Sequence, residues 1–61
     1  MRYRIEVEPG TAHKVTKLLS HLSTTLEIQN HRDHVLVESK LSLDAIQVRV
    51  DRYNAIVREV K

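Results

Sequence analysis

Apolar and charged residues alternate at the start of the chain. Tyr3, Ile5 and Val7 are separated by charged side chains, and this period of two is typical of a strand with one face on a core. Pro9-Gly10 ends the strand. The next apolar positions recur at steps of three and four, which predicts a first helix with Thr11 as its N-cap. Its single apolar face consists of Ala12, Val15, Leu18, Leu19 and Leu22.

A period of two returns after the first helix and predicts a β-hairpin. Its apolar positions are Leu26, Ile28, Val35 and Val37, and its turn is the polar run at residues 30–33. The two valines are expected to face the helices. Leu36, which lies between them, then points to the outer face of the sheet among charged residues, where it offers a sheet-side contact.

The last third of the chain, Ser42 to Val60, has the period of a helix, with Ser42 as its expected N-cap, and it carries two apolar stripes. The first stripe consists of Leu43, Ile46, Val50, Tyr53, Val57 and Val60, and the second of Ala45, Val48, Ala55 and Ile56. A helix with two apolar faces needs two neighbours. One is the chain's own sheet, and for the second stripe the alternatives are the first helix and a second protein chain. A partner would face Ala45, Val48, Arg49, Arg52 and Ile56.

The order of elements predicts an α+β fold of the type β-α-β-β-α. We expect a three-stranded antiparallel sheet with two helices on one face, forming a single small domain over residues 1–61. A domain of this size buries only about 60% of the surface that its unfolded chain exposes. Cysteine is absent, so no disulfide compensates, and oligomerisation is the remaining common way to gain stability.

The sequence shows no arrangement of residues of the kind that catalysis needs. No nucleophile with a base, no pair of tuned carboxylates and no set of metal ligands can be recognised, and the single glycine, Gly10, cannot build a phosphate-binding loop. The four histidines are spaced too poorly to hold a metal. We therefore expect a protein that is not an enzyme and that has no cofactor and no metal. Without a signal-peptide pattern or a long apolar stretch, a cytoplasmic location and no membrane contact are expected.

A cationic strip on the first helix provides an alternative function. It is formed by His13, Lys14, Lys17 and His21, and it could act with Arg2, Arg4 and Arg32 as a nucleic-acid contact. The simpler interpretation is the solvated side of an amphipathic helix. Ten Lys and Arg are interspersed with eight Asp and Glu, for a net charge of +2, which is typical of a solvated surface more than of a phosphate track.

The order of elements and the last third of the chain resemble the small dimerising subunit of the KEOPS complex, the Pcc family. The matching residues are Ile46-Gln47 and Val50-Asp51-Arg52-Tyr53, with the acidic Asp44 upstream. The apolar frame of the family motif is kept. The polar positions differ, because Gln47 stands where the family has Arg, Asp51 where it has Asn, and Arg52 where it has a small residue.

This resemblance implies a non-catalytic subunit of the complex that makes threonylcarbamoyladenosine in transfer RNA. In that family the small subunit dimerises, docks by its helices on the catalytic subunit and helps to hold transfer RNA. The substitutions imply a divergent paralogue, which would pair with a standard small subunit as an accessory member. Its partners would be that subunit and, through it, the catalytic subunit, in a homo- or heterodimer with indirect contact to transfer RNA.

Overall fold

Seven segments of regular structure follow one another along residues 1–60, the part of the chain that the computed structural model describes. They are β1 (Arg2–Glu6), α1 (Ala12–Ser20), β2 (Thr25–Asn30), β3 (His34–Ser39), α2 (Leu43–Val50), a 3-10 turn (Asp51–Tyr53) and β4 (Ile56–Val60). Residue 61, which the predicted domain includes, lies outside the described residues.

The four strands form one sheet in the order β2-β3-β1-β4, and each strand runs antiparallel to its neighbours. With its two helices this is the split β-α-β arrangement known as ferredoxin-like. The predicted α+β class and the antiparallel sheet are confirmed. The predicted number of three strands is wrong, because the chain continues past α2 into a fourth strand beside β1.

The predicted helix from Ser42 to Val60 is correct only in its first half. It ends at Val50, and Asn54 then adopts a left-handed backbone conformation with φ of 57°, which reverses the chain direction. Beyond this point Ala55 and Val57 are buried in the core, while Ile56 and Val60 are exposed. The physical reason is the edge of β1, which would otherwise be free. Residues 56–60 are rich in β-branched side chains, and as a strand they form a ladder of backbone hydrogen bonds with β1 that a longer helix could not form.

The core lies between one face of the sheet and the two helices. Its largest fully buried side chains include Tyr3 and Ile5 from β1, Leu19 from α1, and Ile46 and Val50 from α2. Two of these, Ile46 and Val50, belong to the predicted first stripe, which therefore serves the fold. Packing both helices on this face leaves the other face of the sheet uncovered.

Two hydroxyl groups close the core at the end where α2 begins. The phenol of Tyr3 donates to the carbonyl oxygen of Leu41 at 2.7 Å, and burial, followed by the nearby carboxylate of Glu59, raises the pKa of Tyr3. The hydroxyl of Ser42 accepts from the backbone N–H of Ala45 at 3.3 Å, which confirms this serine as the N-cap. Thr11 precedes α1 but makes no capping hydrogen bond through its side chain.

Candidate interaction surface

The side of the sheet turned away from the helices, which we call the open face, is built from alternate residues of all four strands. The strand register arranges them in three rows. Read from β2 to β4, the first row is Glu27, Glu38, Arg2 and Val60, and the second is Gln29, Leu36, Arg4 and Arg58. The third row begins at β3 and consists of His34, Glu6 and Ile56.

Ion pairs connect neighbouring side chains on the open face. Arg2 lies 3.5 Å from Glu38, and Glu6 lies 3.8 Å from Arg4 and 3.7 Å from Arg58, in each case between Nε and Oε1. All of these groups are well exposed, so each pair contributes little to stability. They do hold the long side chains of the face in a defined arrangement of charge.

Three apolar side chains interrupt the charged rows. Leu36 is half-buried in the middle of the face, between Gln29 and Arg4. Ile56 and Val60, at the two ends of β4, are 54% and 40% exposed. Leu36 also lines a shallow depression with residues of the first row. Its predicted position on the outer face of the sheet is confirmed, and water still reaches this leucine because no helix covers it.

The two edge strands of the sheet, β2 and β4, are poorly suited to pair with a further strand. On β4, the side-chain amide of Gln47 accepts from the backbone N–H of Val57 at 2.9 Å and donates to the carbonyl oxygen of Ala55 at 2.8 Å. These two backbone groups therefore point away from β1 and already have partners. On β2, the register shifts between Thr25 and Glu27, and such an irregularity interrupts edge pairing.

The predicted partner interface does not form one surface. Ala45, Val48, Arg49 and Arg52 follow one side of α2 and its 3-10 extension, where Val48 is 75% exposed. Ile56, predicted to share that side, lies on the open face across the sheet from α2. The error follows from the wrong helix end, because a helical period and a strand period place Ile56 on opposite sides of the chain.

Comparisons with protein-family models, with curated proteins and with solved structures found no match.

The predicted cationic strip is divided by the structure. Lys14, Lys17 and His21 line a groove beside α1 whose opposite wall is Tyr53, and the guanidinium of Arg52 lies 5.4 Å from the centroid of the Tyr53 ring. Of the other predicted nucleic-acid contacts, His13 on α1 and Arg32 in the β2–β3 turn are exposed and do not line this groove, and Arg2 and Arg4 lie on the open face.

The histidines of the hairpin pair with each other and with an acid. The rings of His31 and His34 stack with centroids 4.5 Å apart, and Nδ1 of His34 lies 2.7 Å from the Asp33 carboxylate. This hydrogen bond lowers the pKa of Asp33. Among residues 1–60 no three potential metal ligands come together, and no helix in that range is long and apolar enough to cross a bilayer.

The sequence pattern missed Arg58 as a member of the candidate surface. A helix continued to Val60 would place Arg58 on its polar side, whereas this residue lies beside Arg4 on the open face. The signal that could have identified it is the alternation of Ile56, Arg58 and Val60, which is the period of a half-exposed strand.

Proposed function

We propose that this chain is a non-catalytic protein-association module and that the open face is its contact surface. The observation that carries the proposal is the half-buried Leu36, which lies at the centre of an uncovered sheet face with paired charges around it and exposed apolar residues at its border. Partner surfaces commonly combine an apolar centre with a polar rim in this way. The outer side of α2 offers less, since its Val48 has arginines as neighbours.

The assembly in which we propose this role is the KEOPS complex, as an accessory partner of its small subunit. The support is the sequence resemblance over Ile46 to Tyr53 together with the small size of the chain. In this chain the apolar frame of the motif serves the core through Ile46 and Val50, and Gln47 is engaged with β4. Because these motif residues are engaged within the fold, we assign the partner contact to the sheet face.

The proposal is tested by the solution mass of the chain, alone and mixed with a KEOPS small subunit, using light scattering on a sizing column. We expect association in at least one of the two samples. Leu36→Asp should abolish it, because a carboxylate would have to be buried at the centre of the contact. The matched control is Val48→Asp, which places the same charge on the outer side of α2 and should leave association intact.

Two results would contradict the proposal. A chain that stays monomeric in both samples at all accessible concentrations has no association function of this kind. If Val48→Asp abolishes association and Leu36→Asp does not, the interface lies on α2. Circular dichroism of both variants confirms that each retains the fold.

Nucleic-acid binding is a second candidate function, and the groove beside α1 is the observation in its favour. There Lys14, Lys17 and His21 share one concave surface with an aromatic ring. Proteins that bind single-stranded nucleic acids use this combination: the cations follow the phosphate backbone, and the aromatic ring stacks on a base. The open face is a weaker candidate for this role, because the central positions of β1 and β3 carry Arg4 and Leu36 where stacking would require aromatic residues.

A further inference from the structure

We infer that the partner on the open face is a second copy of this chain, related by a two-fold axis that runs along the strands between β3 and β1. This inference rests on the proposed function, association through the open face, and assigns that face to a second copy in place of the KEOPS small subunit. The observation behind it is that acidic and basic side chains of the three rows are divided unequally between the two halves of the sheet.

Like charges lie directly opposite each other in both halves of the face. Glu27 and Glu38 are cross-strand neighbours on β2 and β3, and Arg4 and Arg58 are cross-strand neighbours on β1 and β4. Pairs of this kind are unfavourable, and within the chain they are offset only by exposed ion pairs, from Arg2 to Glu38 and from Glu6 to Arg4 and Arg58. The β2–β3 half is therefore acidic, and the β1–β4 half carries the arginines.

A two-fold axis along the strands places the acidic half of each copy over the arginine half of the other and keeps each row opposite the same row. In the first row, Glu38 then faces Arg2 of the second copy, and Arg2 faces its Glu38. Because Arg2 and Glu38 are also paired within each chain, the four groups form a closed ring of alternating charge.

The other two rows match under the same operation. In the second row Leu36 faces Arg4 of the second copy, whose aliphatic stem can cover the leucine. In the third row His34 faces Glu6 of the second copy. The contact thus buries the apolar centre of the face without bringing two cations together.

Other ways of pairing two copies fit less well. An axis across the strands would place Arg4 opposite Arg4 and Arg58 opposite Arg58. Pairing along the edge of β4 would have to displace Gln47 from Ala55 and Val57, and the edge of β2 is interrupted by its register shift. Face-to-face packing, with the usual inclination of about 30° between two stacked sheets, leaves these contacts in place.

The size of the face predicts a weak dimer. Four strands about 4.8 Å apart and five residues long cover roughly 300 Å² in projection on each copy. This is below the roughly 800 Å² per partner of a standard interface, so a concentration-dependent equilibrium is expected in place of a permanent dimer.

The test exchanges the charges of the first row and measures self-association by sedimentation equilibrium at low ionic strength. Protein concentrations from about 10 µM to about 1 mM cover the range in which an interface of this size should associate. In Arg2→Glu every charged residue of the first row is acidic, and in Glu38→Arg both central positions of that row, 2 and 38, are basic. Each variant alone should self-associate at least about tenfold more weakly than the original chain. An equimolar mixture should restore association, because each row then faces its complement.

Arg49→Glu is the matched control: it makes the same reversal on the outer side of α2 and should leave the dimerisation constant unchanged. If both single variants dimerise normally, or if the mixture stays as weak as its components, the two-fold arrangement is wrong. If the original chain stays monomeric alone yet binds the KEOPS small subunit through Leu36, this inference fails and the proposed function stands. If neither species forms, both fail.

Discussion

At the scale of single residues, Gln47 stabilises the path of the chain from α2 into β4. Its side-chain oxygen receives the N–H of Val57, and its side-chain N–H reaches the carbonyl oxygen of Ala55, so one amide connects the helix to the start of β4. An arginine or a lysine at this position could not do both, since neither has an acceptor atom. Gln47 thus has a local structural role.

We predict that Gln47→Ala lowers the free energy of unfolding by about 1–3 kcal/mol, because it leaves two backbone groups of β4 without their partner. Gln47→Glu should be intermediate, since a carboxylate can accept from Val57 but cannot donate to Ala55. Urea unfolding followed by circular dichroism measures both changes. The control is Arg49→Ala, which removes an exposed hydrogen bond to Ala45 and should cost less than about 0.5 kcal/mol. Equal stabilities for Gln47→Ala and the original chain would contradict this role.

At the scale of elements, the change from helix to strand depends on the 3-10 turn and on Asn54. Asparagine tolerates the left-handed conformation better than most residues, because its short polar side chain can bond locally. After it, Ala55 is buried and the chain enters β4 with Val57 inward. The fourth strand exists because β1 offers it an edge, and the helical periodicity of residues 51–60 is coincidental.

We predict that Asn54→Gly changes stability by less than about 1 kcal/mol, whereas Asn54→Val costs about 1–2 kcal/mol, because a β-branched residue is strained at positive φ. The comparison is Lys40→Val, an exposed position without positive φ, which should be nearly neutral. Thermal unfolding of the three variants gives the order. If Asn54→Val were as stable as Asn54→Gly, the backbone at this residue would not be left-handed.

At the scale of the whole molecule, the two sides of the sheet divide the available apolar residues unequally. Most of them serve the core between sheet and helices, which leaves the open face mainly polar, with Leu36 at its centre and Ile56 and Val60 at its border. A chain of 61 residues has too few side chains to cover both faces. Its net charge of +2 is small, so neither face attracts a polyanion through total charge, and any nucleic-acid contact must come from a local cluster.

If that cluster is the groove beside α1, the chain should bind single-stranded RNA weakly, with an affinity that falls steeply as salt is raised. The combined change Lys14→Glu and Lys17→Glu should abolish this binding, whereas Lys40→Glu, outside the groove, should only weaken it. Fluorescence anisotropy with a labelled oligonucleotide at two salt concentrations measures the effect. Binding that is insensitive to salt, or equal losses for both kinds of variant, would exclude the groove as an RNA site.

Much of the fold can be predicted from local patterns. The period of two in β1 and β3, the stop at Pro9-Gly10, the single apolar face of α1 and the cap at Ser42 all depend on near neighbours in the chain, and they reappear in the structure. Leu36 on the outer face followed from the same alternation. Each of these features depends on the geometry of one element and needs no knowledge of what packs against it.

The end of α2 and the position of the candidate surface were decided by tertiary structure. From Asp51 onward the residues are compatible with a helix as well as with a turn and a strand, and the free edge of β1 together with the amide of Gln47 selects the strand. That choice moves Ile56 and Arg58 onto the open face beside Glu6 and Arg4, which lie 50 and 54 positions earlier in the sequence. The charge pattern of the face exists only in the assembled sheet, because strand register brings distant residues together.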